Sequence, residues 1–214
     1  METLLKEKAQ VKPYIDLKVT QYKRYQYAKV QTESDAREYD GIATVPEIGV
    51  LSNGLYTVLL NDRGSGFSRY RNIMVNRYRK ISADHYGQYL YIRNLRSDKL
   101  WCNTYAPLDI MPESYRVSFA SDKIRFLRVD DGIETLTEIT VVKDRYAEIR
   151  RYTFTNNSDQ DIDLELTTYS EPVLAQHTHD ENHRVFNSMN IFSEYDPEHQ
   201  LLIFSKPVPD ARES

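Results

Sequence analysis

The sequence predicts an all-β fold, an antiparallel β-sandwich, on three observations. Apolar and polar residues alternate with a period of two in several stretches, turn-forming residues recur every ~8–12 residues, and no stretch carries a sustained 3.6-residue period. A period of two with one polar face describes strands half buried in an antiparallel sheet, whereas βαβ units would interleave helical patterns.

Taken in order, residues 1–44 read as a leading arm or linker. They hold eight Lys/Arg and seven Asp/Glu with few aliphatic side chains. Within them, residues 22–30 (YKRYQYAKV) suit either one strand with tyrosines on both faces or a basic, aromatic stretch of the kind that binds nucleic acid. The neighbouring acids offset the local charge and favour the arm.

The sandwich is expected over residues 45–209. Residues 48–52 and 55–61 flank Asn53-Gly54, which supplies the positive φ angles of a type I′ hairpin turn. Residues 86–94 and 99–105 flank Leu95-Arg96-Ser97-Asp98. Residues 115–120 and 124–129 flank Ser121-Asp122-Lys123, and Asp131-Gly132 turns the chain into 133–142. There Ile133, Thr135, Thr137, Ile139 and Val141 share one face, opposite Glu134, Leu136, Glu138 and Thr140. Residues 146–155 lead through Asn156-Asn157-Ser158-Asp159 into 162–169, where Ile162, Leu164 and Leu166 alternate with Asp163, Glu165 and Thr167. A strand at 201–205 precedes a polar, proline-punctuated end, and 210–214 read as a tail or truncation point.

Composition narrows the function. The 214 residues carry a net charge of −4, with 28% charged, 12% aromatic, 17 Tyr and only 7 Gly. The mean hydropathy of −0.64 is offset by the aromatic content, so a packed core is within reach. No apolar run approaches the ~20 residues of a membrane span, and the first residues lack the apolar centre of a signal peptide. The expected location is the cytoplasm, or the cytoplasmic side of a membrane-bound synthase, without direct membrane insertion. A single Cys102 excludes an internal disulfide and a cysteine-built zinc site. The acidic balance gives no general reason to bind nucleic acid.

Four constellations bear on chemistry. Asp62-Arg63-Gly64-Ser65-Gly66-Phe67-Ser68-Arg69-Tyr70-Arg71 places two of the seven glycines within three residues and follows them with arginines and aromatics. Such a loop could present N–H groups and guanidinium forks to a phosphate or carboxylate, or be a tight turn with a β-bulge. It lacks the Lys-Ser/Thr of a Walker loop, and Ser65 and Ser68 lack the strand–elbow–helix setting of a nucleophile. His177, His179 and His183 include an i, i+4 pair suited to zinc on a helix, but a polar loop fits the surrounding residues better. Most of Glu134, Glu138, Glu148, Glu165 and Glu171 look like the outward residues of a solvated sheet, and no pair is nominated for glycosidase chemistry. Cys102 has no neighbouring base and reads as structural.

The stretch from Pro46 to Val58, with Leu51-Ser52-Asn53-Gly54, followed by Gly64-Ser65-Gly66-Phe67-Ser68-Arg69-Tyr70-Arg71, resembles the start of family 94 of the glycoside hydrolases, formerly glycosyltransferase family 36. That pattern reads leucine-serine-asparagine-glycine, a spacer, then glycine-x-glycine-aromatic-serine-x-aromatic-arginine. Further similar stretches lie at 86–93, at Trp101 with Tyr105-Ala106-Pro107, at 148–156 and at 166–174, in order over about 45–209. The wording is most similar to cyclic β-1,2-glucan synthases and 1,2-β-oligoglucan phosphorylases within the family.

The resemblance implies an N-terminal β-sandwich of the super-sandwich type, followed in the family by a helical linker and an (α/α)6 barrel. Its sandwiches are longer, which leaves the C-terminal edge open to being incomplete. Family members transfer a β-glucosyl unit to inorganic phosphate, the co-substrate of the parent enzyme, with an Asp general acid carried on the barrel. No residue here inherits that role, so the chain alone is expected to be inactive and to need no cofactor or metal. Ser68, Arg69, Tyr70 and Arg71 are the residues expected to touch glucan or barrel, with Asn53, Gly54, Gly64 and Gly66 shaping the loops. Phe67 stands where the family commonly has Tyr. The expected partners are a β-glucan oligosaccharide, the catalytic barrel and a homodimer mate, with no nucleic acid. Two rivals stand beside this reading: a free-standing carbohydrate-binding module, suggested by the tyrosines and Trp101, and a purely structural or dimerisation domain.

Overall fold

The computed structural model describes residues 36–79 and 85–207. The stretch at 22–30 and the tail at 210–214 lie outside the described residues. Period-two patterning becomes four antiparallel sheets. The first has the order β1 (Arg37–Asp40), β8 (Ser114–Phe119), β9 (Ile124–Asp130), β10 (Ile133–Val141) and β11 (Glu148–Asn156). The second runs β13 (Pro172–Gln176), β5 (Ile73–Asn76), β4 (Gly66–Tyr70), β3 (Tyr56–Asn61) and β2 (Ile48–Ser52). A third joins β12 (Leu164–Tyr169), β6 (Tyr89–Asn94) and β7 (Leu100–Cys102). The hairpin β14 (Phe192–Asp196) and β15 (Leu201–Ser205) forms the fourth.

Two cores show how these layers stack. Leu51, Val58 and Leu60 of the second sheet meet Val117, Phe119, Ile124, Phe126 and Ile139 of the first. At the other end of the first sheet, Ile133, Tyr152 and Phe154 pack against Leu90, Ile92, Trp101 and Leu164 of the third. The first sheet is thus one layer, and the second and third sheets share the other, as expected of an all-β sandwich. Val58, Ile124 and Phe126 are wholly buried, and burying each such side chain stabilises by about 1.5–3 kcal/mol.

Strand β10 follows the alternation read from sequence, with Ile133, Thr135, Thr137 and Ile139 all buried. Asp131 (φ 53°) and Gly132 (φ 75°) form its type I′ turn. The 53–54 turn differs. Ser52 pairs with Thr57, Asn53 N–H donates to Tyr56 O at 3.2 Å, and the two loop residues are Gly54 and Leu55. Only Gly54 of these has positive φ, at 92°, which is the type II′ pattern. Arg37–Asp40, assigned to the arm from sequence, pair residue for residue with 116–119 and so belong to the first sheet. The histidine segment is not a loop but two one-and-a-half-turn helices, α1 (His177–Asn182) and α2 (Arg184–Met189). In β12, Leu166 is exposed, so the apolar side there is only partly covered. No helix among the described residues is long and apolar enough to cross a membrane.

Candidate functional site: the 64–71 segment and the loop it grips

The glycine-rich stretch is a turn and then a strand. Asn61 Oδ1 accepts from the N–H groups of Arg63 (3.0 Å) and Ser65 (2.9 Å), and Gly64 N–H donates to Asn61 O (3.0 Å). Gly64 is buried against Thr104. Gly66 opens β4 opposite Leu60, and a Cβ there would lie 1.9 Å from the Leu59 carbonyl oxygen, so only glycine lets the strands meet. Alternation then turns Ser68 inward and Phe67 and Arg69 outward, with Phe67 packing against Tyr78 at 5.0 Å.

Ser68 is fully buried, and its polar atoms are all engaged. Its N–H donates to Asn76 Oδ1 (2.7 Å) and its hydroxyl to Glu148 Oε2 (2.7 Å). Gln88 Nε2 donates to Ser68 Oγ (3.3 Å) and to Glu148 Oε1 (3.1 Å), and Arg150 Nε donates to Glu148 Oε1 (2.9 Å). The expectation that Ser68 touches glucan or barrel is corrected by this burial: the hydroxyl is an internal tie between sheets. Glu148 is corrected too. Its side chain is 10% exposed and faces inward, not out to solvent. A buried carboxylate persists only when hydrogen-bonded and charge-paired, and Ser68, Gln88 and Arg150 do both. Beside it, Tyr56 is pushed up to about 12, chiefly by burial and then by the Glu148 charge.

The other three expected residues sit at the open end of β4. Tyr70 is half-buried and packs its ring 4.6 Å from that of Tyr146, which is 58% exposed. The Arg71 guanidinium lies 5.3 Å over the Tyr70 ring, at a backbone φ of 52°. Arg69 is exposed on the opposite side of the strand. The loop that carries Tyr146 is held by Asn53, whose Nδ2 donates to the carbonyls of Val142 and Arg145, each at 2.8 Å. The structure therefore brings Asn53, Ser68 and Tyr70 together on residues 142–148.

Sequence reasoning missed Tyr146, Gln88 and Arg150 as site residues and placed Glu148 on a solvated face. An aromatic residue in the otherwise polar Lys-Asp-Arg stretch was the one available signal for Tyr146. The rest of the chemistry is sparse. Trp101 is 2% exposed and packed in a core, which removes it as a sugar-stacking surface. Cys102 is buried and free, and burial pushes its thiol up. Ser65 Oγ meets Tyr89 OH at 3.1 Å with no histidine base. His179 and His183 stand 5.5 Å apart, and among the described residues no group of His, Cys, Asp and Glu is arranged to hold a metal. What the exposed Tyr146–Tyr70–Arg71 face can do is offer aromatic surface and guanidinium donors to a neutral, hydroxyl-rich ligand.

Residues 36–213 match the family model described as glycosyl hydrolase 94, supersandwich domain. The chain is also similar to the cyclic beta-(1,2)-glucan synthase NdvB of Rhizobium meliloti (strain 1021), with 30% identity over 149 residues. That match covers 69% of this chain and 5% of the relative.

Proposed function

Since the chain belongs to the glycosyl hydrolase 94 supersandwich family, we propose that it is a non-catalytic, carbohydrate-associated sandwich that helps position a β-1,2-linked glucan for a β-1,2-glucan-active synthase or phosphorylase. The observation that carries this reading is the Tyr146–Tyr70–Arg71 face, an exposed aromatic and guanidinium surface fixed from behind by the Ser68–Glu148 tie. The exposed Tyr146 ring, tilted against that of Tyr70, gives a sugar's C–H face an apolar plane at little conformational cost, and arginine donors meet its hydroxyls. The linkage rests on the named relative, and the partner would be the helical barrel that the resemblance implies. Phosphate would enter only as that barrel's co-substrate, and the setting would be cytoplasmic.

Calorimetric titration with β-1,2-linked glucotriose and longer chains tests this. Binding that Tyr146→Ala weakens ~10-fold or more without lowering the melting temperature supports it. Absence of binding at millimolar oligosaccharide overturns it. So would phosphorolysis of the same oligosaccharides by this chain alone.

A second reading, packing against further protein, is favoured by a separate observation. Val185, Phe186 and Met189 of α2 and Phe192, Tyr195, Leu201, Leu202, Ile203 and Phe204 of the β14–β15 hairpin are all exposed. Monomeric proteins rarely leave so many large apolar side chains exposed on successive elements. Concentration-dependent sedimentation would bear this reading out, and a strict monomer that binds no apolar dye would count against it.

A further inference from the structure

On the far side of segment 86–89 from the Ser68–Glu148 tie lies a cavity of about 190 Å³. Gln88 turns its side chain toward Ser68 and Glu148, while its neighbours Gly87 and Tyr89 line this second space. Tyr91 and Tyr169 form one wall, with rings 6.3 Å apart and nearly perpendicular. Arg77 and Glu171 form another, joined at 2.6 Å, and Tyr169 OH donates to the second Glu171 oxygen at 2.6 Å. His85 stands at the edge, its Nε2 2.8 Å from Asp109 Oδ2. Among the described residues the Tyr86 and Tyr91 hydroxyls have no hydrogen-bond partner, so they are open to a ligand.

Charge and size define that ligand. Arg77 already faces two carboxylates, Glu171 and Asp180, and Arg184 lies 3.7 Å from Glu171. His85 faces its own carboxylate. The walls therefore present no unbalanced positive charge, and a phosphate or other anion would find none to pair with. Aromatic walls with phenolic hydroxyls and one fixed ion pair suit a neutral ring bearing many hydroxyls. The volume falls below the ~300 Å³ at which ordinary ligand pockets begin, so one ring fits and a chain does not.

We propose that this cavity is a binding site for a single neutral hexose unit, distinct from the exposed Tyr146–Tyr70 face. It rests on the reading of the chain as a glucan-associated domain, and it adds a place where one end unit of a glucan is held.

The test is two-dimensional NMR of the whole 214-residue chain titrated with D-glucose, in the wild type, Tyr91→Phe and Tyr146→Ala. Saturation at roughly millimolar glucose is expected for so small a ligand. Tyr91→Phe removes one hydroxyl, keeps the ring and should weaken glucose binding ~3–10-fold, the loss of one hydrogen bond. Tyr146→Ala should leave it unchanged. No saturable shift with glucose in the folded wild type overturns the proposal, as does a glucose site that Tyr146→Ala removes and Tyr91→Phe spares. With β-1,2-linked glucotriose, Tyr146→Ala reports on the exposed face, whereas free glucose with Tyr91→Phe reports on the cavity, so the two readings fail separately.

Discussion

Ser68 Oγ donates a 2.7 Å hydrogen bond to Glu148 Oε2, and this one contact joins β4 of the second sheet to β11, the edge strand of the first. It lies at the end of the sandwich where Tyr70 and Tyr146 also meet, so the tie that closes the layers also fixes the exposed face. Ser68→Ala would leave Glu148 buried with one donor fewer. The expected cost is about 1–3 kcal/mol, a fall in melting temperature of roughly 2–10 °C for a domain of this size. Thermal unfolding by circular dichroism measures it, and an unchanged midpoint would show that Ser68 carries no such load.

Asn53 makes the matching grip from the β2–β3 turn. Its side chain donates to two carbonyls of the 142–148 loop and accepts from Leu55 and Tyr56 N–H at 3.1 and 2.8 Å. Asn53→Ala strands all four partners at once. The loop should open locally before the domain unfolds, because each lost bond is worth only about 1 kcal/mol. Trypsin cutting after Lys143 or Arg145 should then be faster in the variant, with the melting midpoint lowered only modestly. Equal cleavage rates would refute the grip.

How far the sequence announced this arrangement depends on the strand. Strand β10 was legible because Ile133 and Ile139 share one buried face and Asp131-Gly132 supplies a turn with two positive φ angles. Strand β11 inverts that rule: Ile149 is 56% exposed, while Glu148 and Arg150 on the other parity are only 10% and 11% exposed. A polar pair can occupy the inner face there because Ser68 and Gln88, distant in sequence, satisfy it, and no local pattern reveals partners 60 to 80 residues away. Strand β4 was hidden by its glycine and the flanking Gly64 and Arg71, which read as loop. Helices α1 and α2 span six residues each, too few to show a 3.6-residue period. Of the expected site residues, Arg69, Tyr70 and Arg71 reach the surface and Ser68 does not.

Arg71 separates stability from binding. Its φ of 52° costs a non-glycine residue about 1–2 kcal/mol, which its stacking on Tyr70 offsets only in part. Arg71→Gly should therefore leave the melting temperature unchanged or raise it by a few degrees. The same change removes a guanidinium from the exposed face and should weaken glucotriose binding several-fold. Parallel melting and calorimetry read both effects, and a variant that melts lower while binding normally would contradict the assignment of both roles.

The last prediction concerns acid. Arg77 is nearly buried and donates from Nε and one terminal nitrogen to Asp180, both at 3.0 Å, and from the other to Glu171. Burial pushes Asp180 and Glu171 up, but the Arg77 bonds and charge, with the Tyr169 hydroxyl on Glu171, outweigh it and hold both below the ordinary carboxylate range. Carboxylates depressed in the folded state stabilise it above their unfolded values of about 4, and that contribution is lost as pH falls through the lower folded values. The melting temperature of the wild type should therefore drop as pH falls below about 4. In Arg77→Met the two carboxylates lose the cation that is hydrogen-bonded to both, Arg184 staying 3.7 Å from Glu171, and breaking such a pair costs about 3–5 kcal/mol near neutrality. Burial then dominates and raises them, so the variant's deficit should shrink as acid neutralises them. Melting curves decide it: a deficit that is the same at pH 3 and pH 7 would show that Arg77 acts by packing and not by charge.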